Sequence, residues 1–181
     1  MDPTPPPKLT LVIGGASSGK SAYAERLAGL PGMPRCHIAT AEAFDAEMAA
    51  KIARHRAQRG TGWITRDAPH DVAGALRDLP ARSSVLLDCA TLWLSNRMLA
   101  DADLAAETER LIMALAACPA PVVVVSNETG QGIVPDNALA RRFREAQGRL
   151  NQRLAAEAAL VVAVIAGLPL VLKGRLPGGL A

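Results

Sequence analysis

The sequence predicts an α/β fold in which a mainly parallel sheet is flanked by helices. Short apolar runs rich in β-branched residues recur along the chain, and segments with helical periodicity lie between them. Uninterrupted runs of this kind are typical of strands buried on both faces of a parallel sheet. Their alternation with helices indicates right-handed βαβ units. The predicted strands are residues 9–13, 36–39, 85–87, 122–125 and 160–166, and the clearest predicted helices are residues 46–59, 104–117 and 137–158.

Length and composition favour one domain without a membrane span. The chain has 181 residues, of which 50% are hydrophobic, enough for a sizeable core. We expect a single nucleotide-binding domain over residues 9–173, with flexible tails at 1–8 and 174–181 that are rich in proline or glycine. The start of the chain lacks the pattern of a signal peptide. No apolar run approaches the roughly 20 residues that cross a bilayer, so the predicted location is cytoplasmic.

The net charge indicates which ligands the chain can bind, and the cysteine pattern bears on disulfides and zinc sites. The formal net charge is +3, which suits phosphorylated small molecules. No dense block of Lys and Arg interleaved with aromatic residues is present, so the sequence predicts no nucleic-acid partner. Three cysteines, an odd number without a C-x-x-C spacing, argue against a disulfide framework or a zinc site.

Residues 14–21 carry the most specific motif, G-G-A-S-S-G-K-S, which fits the phosphate-binding pattern G-x-x-x-x-G-K-S/T. It follows the first predicted strand and precedes a helical segment at 22–28. Such a loop turns successive backbone N–H groups toward one anion, and the helix N-terminus adds partial positive charge. Lysine reaches the β- and γ-phosphates and the serine hydroxyl binds Mg²⁺. The predicted contacts to a nucleoside triphosphate are therefore Gly14, Gly15, Ala16, Ser17, Ser18, Gly19, Lys20 and Ser21.

Residues that follow the predicted strands are the next candidates, because ligands of open α/β sheets bind beyond the carboxyl ends of the strands. Asp88 closes the third strand and is expected to hold Mg²⁺ opposite Ser21. Thr40 and Ala41 follow the second strand. The glycine-containing loop 127–135 follows the fourth, where a substrate contact and a simple entry into the next helix are equally open readings.

His55 lies in the predicted helix 46–59 and has two open interpretations. It falls beside an apolar stripe, which favours a packed core histidine. Lys51 and Arg59 lie four residues before and after it, which favours a phosphate site with a neutral, nucleophilic imidazole. His37, in a strand, and His70, in a loop, are most simply structural. Pro135 and Asp136 are expected to begin the last long helix.

Several segments together resemble the bifunctional adenosylcobinamide kinase / adenosylcobinamide-phosphate guanylyltransferase family of cobalamin biosynthesis. The likeness extends over residues 9–173. The most specific part is the combination of E-M-A-A-K-I-A-R-H at 47–55 with N-E-T-G-Q-G-I-V-P at 127–135. It is joined by residues 14–21, 38–40, 63–65, 87–89 and 151–154, in the family's order.

The resemblance implies two reactions and further site residues. A nucleoside triphosphate, ATP or GTP, phosphorylates adenosylcobinamide, and GTP then transfers GMP to that phosphate. His55 takes the position of the histidine that carries GMP. The family's nucleotide contacts map onto Ala39, Thr40, Ala41, Arg56, Ala57, Gln58, Arg59, Asp67 and Asp88.

Four positions depart from the family pattern. Asp67 and Asp88 stand where Glu is common, Ala41 where Ser is common, and Thr129 where Val is common. The resemblance also implies a homotrimer. Two other readings of the residues stay open: a single-activity small-molecule kinase with a structural His55, and a nucleotide-switched binding ATPase or GTPase.

Overall fold

The computed structural model describes residues 7–29, 32–43, 45–59 and 61–178, with only the main chain of residues 47, 51, 55, 58 and 59. The predicted tails, 1–8 and 174–181, therefore lie partly outside the described residues. In chain order the elements are β1 (Leu9–Gly14), α1 (Lys20–Ala28), β2 (Arg35–Ala39), α2 (Ala46–Arg59), β3 (Trp63–Asp67), α3 (Val72–Arg77), β4 (Ser84–Asp88), α4 (Ala90–Leu99), α5 (Leu104–Ala117), β5 (Val122–Asn127), α6 (Ala138–Glu157), β6 (Leu160–Ile165) and β7 (Leu168–Lys173).

The strands form one sheet in the order β3-β2-β4-β5-β1-β6-β7. Every neighbouring pair is parallel except β6 and β7, which are antiparallel. The predicted mainly parallel α/β architecture is confirmed. Strand β5 lies between β1 and β4, so the phosphate-binding motif and Asp88 are carried by strands on either side of it.

Two edge strands were not predicted, and each lacks the signal of a buried strand. Strand β3 is only partly buried and contains Arg66 and Asp67, so no continuous apolar run marks it. Strand β7 contains Pro169 and is largely exposed. Ala166 and Gly167 form the turn between β6 and β7 with positive φ angles of 51° and 80°. An alanine in that conformation gives no turn signal, which is why the strand predicted at 160–166 extends one residue too far.

Helices α2 and α5 have the predicted bounds, and α6 agrees with the predicted 137–158 to within one residue at each end. The side chain of Asn137 accepts a hydrogen bond from the backbone N–H of Ala140 and caps α6, so Pro135 and Asp136 lie just before the cap. Helix α3 is only six residues long, and α4 is buried on most sides, so neither shows an amphipathic pattern. Among the described residues, no helix combines the length and the apolar character that a bilayer crossing requires.

Apolar side chains pack on both faces of the sheet in two clusters. One face is covered by helices α3, α4, α5 and α6, and the other by α1. Successive residues of β5 alternate between them: Val122 and Val124 join the first cluster, and Val123 and Val125 join the second. Continuous valines therefore reflect burial on both sides, and the alternation also sets which face each polar residue at the end of β5 will point to.

Burial also lowers the reactivity of the three cysteines. Cys36, Cys89 and Cys118 are free and buried. Desolvation is the main cause that raises the pKa of all three thiols, and it raises the pKa of Cys89 to about 11. A raised thiol pKa means less of the reactive thiolate at neutral pH.

We therefore expect the three cysteines of the native protein to react slowly with Ellman's reagent at pH 8. The thiolates are scarce and the folded chain blocks access to them. In guanidinium chloride all three cysteines should react at once, which the absorbance time course measures directly. A native thiol that reacts as fast as the denatured ones would contradict the buried placement.

Candidate nucleotide site

The phosphate-binding motif forms an exposed loop between β1 and α1. Gly14 ends β1, and Gly19 precedes α1 in a left-handed conformation with φ 90°. Residues 15–17 and 19 are exposed, and the first turn of α1 opens at Lys20. The Lys20 ammonium donates a hydrogen bond of 3.0 Å to the carbonyl oxygen of Gly15. The loop thus presents backbone N–H groups, a helix N-terminus and a lysine to one volume, which is an anion-binding arrangement.

The glycines of this loop are not equivalent. A Cβ atom at Gly14 would collide with the Ser18 hydroxyl and lie 2.6 Å from the carbonyl oxygen of Val164 on β6. At Gly19 the obstacle is the positive φ, which disfavours any residue with a side chain. A Cβ atom at Gly15 meets nothing within 4 Å. Gly14 is therefore required by the folded chain itself, whatever ligand the loop holds.

Two neighbouring segments hold the loop in place. The backbone N–H of Gly167, in the β6–β7 turn, donates to the carbonyl oxygen of Ser18 at 2.8 Å. The N–H of Glu128, directly after β5, donates to the carbonyl oxygen of Gly14 at 3.0 Å. Sequence reasoning missed the first contact because strand β7 and its turn carry no recognisable signal.

The ends of β2, β3 and β4 bring the other predicted residues together. Ala39 lies in register with Asp67 on one side and with Asp88 on the other. Asp88 is in register with Val125, and Gly14 is in register with Asn127. Because these strands are parallel, their carboxyl ends and the phosphate loop lie at the same edge of the sheet. The predicted contacts Ala39, Asp67 and Asp88 therefore share that edge with the loop.

Thr40 has its polar atoms engaged within the protein. Its buried hydroxyl accepts from the N–H of Cys89 at 2.8 Å and donates to the carbonyl oxygen of the same residue at 2.7 Å. Its own carbonyl oxygen accepts from the Asn96 amide, which also donates to the carbonyl oxygen of Pro69. Thr40 and Asn96 thus tie together the segments that follow β2, β3 and β4. Sequence reasoning missed Asn96, although a polar residue within an apolar helix is a usable signal for such a tie.

Helix α2 is joined to the end of β3 by an ion pair. Arg56 and Asp67 approach to 3.6 Å, with side chains 59% and 74% exposed. Exposed pairs of this kind stabilise little, so the contact is informative mainly about position. His55, Gln58 and Arg59 belong to the same helix, and their side chains lie outside the described residues. The ion pair places the helix of His55 beside the strand ends that carry the other predicted contacts.

The remaining histidines have structural contacts. His37 is buried in β2 and packs edge to face against Trp63, with ring centroids 6.4 Å apart. His70 lies 3.5 Å from a carboxylate oxygen of Glu42. Its carbonyl oxygen accepts from the indole N–H of Trp93. Both placements fit the structural role predicted for these two residues.

The parallel sheet and the phosphate loop define a nucleotide-binding enzyme of the P-loop class. A solved structure of the same class, the P4 protein from bacteriophage phi6 in complex with ADP, superposes with a TM-score of 0.50 over 97% of this chain and 58% of the phage chain. The two sequences are 16% identical, so the likeness concerns the fold alone.

The chain belongs to the cobinamide kinase / cobinamide phosphate guanyltransferase family, whose model matches residues 10–172. It is 45% identical to the bifunctional adenosylcobalamin biosynthesis protein CobP of Pseudomonas aeruginosa, over 91% of this chain and 97% of that protein. It is 41% identical to the corresponding CobU of Salmonella typhimurium, over 91% of this chain and 99% of that protein. The resemblance found in the sequence is confirmed, and the chain is a kinase and guanylyltransferase of cobalamin biosynthesis.

Single replacements of Gly14 and Gly15 by alanine should differ in their effect on stability, because only Gly14 is closely surrounded by other atoms of the protein. Gly14→Ala should destabilise the nucleotide-free protein by about 1–3 kcal/mol, because the new methyl group meets Ser18 and the Val164 carbonyl. Gly15→Ala is the matched control and should change stability by less than about 0.5 kcal/mol. Urea unfolding of both variants measures the difference. Equal stabilities would show that the β1 end is not as tightly packed as described.

Proposed function

We propose that the loop 14–21 holds the triphosphate for both reactions, phosphorylation of adenosylcobinamide and transfer of GMP to the resulting phosphate. The observation that carries this proposal is the position of the loop at the same sheet edge as Asp67 and Asp88. Backbone N–H groups and Lys20 stabilise the charge that develops on the phosphates during transfer. Either ATP or GTP serves the kinase step in this proposal, and GTP serves the second.

His55 is proposed to carry GMP between GTP and the corrinoid phosphate. A neutral imidazole nitrogen attacks the α-phosphorus, the bond from that phosphorus to the bridging oxygen breaks, and pyrophosphate leaves with the electron pair. An oxygen of the corrinoid phosphate then attacks the same phosphorus. The phosphorus–nitrogen bond breaks and the imidazole is restored. The position of α2 beside the end of β3, where Arg56 approaches Asp67, supports this role.

We propose that the remaining predicted nucleotide contacts surround this path. Ala39, Ala41 and Asp67 belong to the ends of β2 and β3 or the segment after β2, and Arg56, Ala57, Gln58 and Arg59 follow His55 along α2. Thr40 is proposed to support the site by holding the segments after β2 and β4 together, since its hydroxyl is hydrogen-bonded to Cys89 and its carbonyl oxygen to Asn96. Asp88 completes the set at the end of β4.

Mg²⁺ fits the donor set of this site. Ser21 offers a hydroxyl in the first turn of α1, and Asp88 offers a carboxylate at the end of β4, both oxygen ligands of the kind Mg²⁺ prefers. Among the described residues, no group of three or more His, Cys, Asp or Glu side chains forms a cage of its own. We propose that phosphate oxygens and water complete the coordination. When bound, the ion neutralises charge on the triphosphate.

A homotrimer in the cytoplasm is the proposed state of the enzyme. The edge strand β7 supports self-association, because Leu168, Leu170 and Leu172 expose between 54% and 71% of their surface. Exposed apolar residues of this number along one strand are typical of an interaction surface. We also propose that residues 9–173 form one nucleotide-binding domain, with flexible tails at 1–8 and 174–181.

Labelling with GTP that carries ³²P on the α-phosphate tests the histidine step. The wild type, incubated with Mg²⁺ and then denatured, should retain label that is acid-labile and base-stable, as a phosphoramidate is. His55→Ala should retain none and should keep at least part of the cobinamide kinase activity, because the phosphate loop is unchanged. His70→Ala is the matched control and should label like the wild type, since His70 is not among the proposed nucleotide contacts and its imidazole lies against Glu42.

A folded His55→Ala variant that still takes label would assign the step to another residue. If a folded wild type binds GTP without taking label, the covalent step is absent. GMP would then pass directly from GTP to the corrinoid phosphate, or the chain would act as a kinase alone.

A further inference from the structure

The last two residues of β5 point to opposite faces of the sheet. Ser126 faces α6, where its hydroxyl donates to the Asn151 side chain at 2.6 Å and accepts from the Gln147 amide at 2.9 Å. Because side chains alternate along a strand, Asn127 faces the other side, together with Val123 and Val125. That side is covered by α1, the helix that the phosphate loop leads into.

The same alternation places Asp88 on that face. Leu86 of β4 packs in the α1 cluster, and Asp88 is two residues further along the strand. Asn127 is paired in register with Gly14, the first residue of the phosphate loop. Asn127 therefore lies between the strand that carries the loop and the strand that carries Asp88, on the side where the phosphates are proposed to bind.

The main chain of Asn127 is held by side chains from helices on the face of the sheet opposite α1. Its N–H donates to the Thr91 hydroxyl at 2.7 Å, and its carbonyl oxygen accepts from the Asn151 amide at 3.0 Å. The next residue, Glu128, donates its N–H to Gly14. The Gln147 side-chain amide also donates to Oδ1 of Asn151 at 3.0 Å, which fixes the orientation of the Asn151 side-chain amide. Both polar main-chain atoms of Asn127 are thus held by side chains of α4 and α6.

This network is buried, and burial of so many polar groups has a cost. Ser126 and Gln147 are fully buried, and Thr91 and Asn151 are nearly so. Buried polar networks rigidify the groups they hold when their members are hydrogen-bonded to one another. An apolar end to β5 would need none of them. Within the described part of the chain, the side-chain amide of Asn127 makes no hydrogen bond to another residue.

We propose that the Asn127 amide donates a hydrogen bond to the terminal phosphate of the bound triphosphate, and that Thr91 and Asn151 are positioning residues for it. The inference rests on the proposed use of the phosphate loop. A neutral amide suits this position, because it donates to a phosphate oxygen without adding charge beside Asp88. The terminal phosphate is the group transferred in the kinase step. A hydrogen bond from Asn127 to it makes the protein bind a triphosphate more tightly than a diphosphate.

The test compares two ligands, guanosine 5′-(α,β-methylene)triphosphate and the matching diphosphate, each with Mg²⁺. The methylene bridge prevents transfer of GMP to the protein, so binding alone is measured by calorimetry. Asn127→Ala should weaken the triphosphate about tenfold or more, the loss expected for a hydrogen bond to a charged group, and change the diphosphate by less than about twofold. Gln152→Ala, an exposed amide on α6, is the control and should leave both affinities unchanged.

Asn151→Leu and Thr91→Val test the positioning role. Each should lower the preference for the triphosphate, and neither should lower it further when combined with Asn127→Ala, because both act through that residue. A purely structural role would weaken both ligands equally and add to the effect of Asn127→Ala. Two positioning variants are used so that one poorly folded protein does not decide the result.

The proposal is wrong if Asn127→Ala keeps the wild-type ratio of the two affinities, or if the wild type itself shows no preference for the triphosphate. Lys20→Ala separates this from failure of the wider function. Normal binding of both ligands by Lys20→Ala, or none by the wild type, would overturn the use of the loop and the Asn127 contact together. Loss of binding in Lys20→Ala with an unchanged Asn127→Ala would overturn only the Asn127 contact.

Discussion

The parallel pairing of β5 with β1 on one side and β4 on the other is the constraint on which the site depends. It aligns Gly14 with Asn127 and Asp88 with Val125, so that the phosphate loop, Asn127 and Asp88 end at one edge. The four consecutive valines of β5 fit this position because both of their faces are covered. A slip of one residue would send Asn127 to the α6 face and Ser126 to the α1 face. Core packing on both sides therefore determines which polar group lies on the face where the phosphates are proposed to bind.

Buried side-chain amides supply hydrogen bonds to main-chain groups that the sheet leaves without a backbone partner. Beyond the last ladder pairs, the chain segments after the strands have unpaired carbonyl and N–H groups, and these need partners if they are buried. Asn96 satisfies the carbonyl oxygens of Thr40 and Pro69, and Asn151 satisfies that of Asn127. Both amides come from helices on the same face of the sheet, opposite α1. Asn96 and Asn151 thus hold the strand ends from the face of the sheet opposite α1.

Much of the fold and part of the site could be predicted from the sequence, for reasons that differ between elements. The central strands are predictable because burial on two faces requires continuous apolar runs. The loop 14–21 is predictable because the folded chain requires glycine at positions 14 and 19, and Lys20 and Ser21 complete the motif. Strand β3 and strand β7 escaped because edge strands can be short, polar or exposed. The roles of Asn96, Asn151 and Gln147 were not predicted because they depend on contacts between residues 21 to 56 positions apart. His55 was assigned by resemblance, since spacing alone favoured a packed residue.

One phosphate loop can serve two reactions if the two attacking groups approach different phosphorus atoms. In the proposed arrangement, a loop that holds the β- and γ-phosphates leaves the α-phosphate for His55 of α2, the helix that the Arg56–Asp67 ion pair joins to the end of β3. Lys20 then serves both steps, because the pyrophosphate that leaves in guanylyl transfer is the same pair of phosphates that the loop binds in the kinase step. Asn127, by contrast, contacts only the terminal phosphate in the proposed arrangement. The proposed chemistry is therefore divided along the triphosphate, with His55 of α2 acting at the α-phosphate and Asn127 at the end of β5 acting at the terminal phosphate.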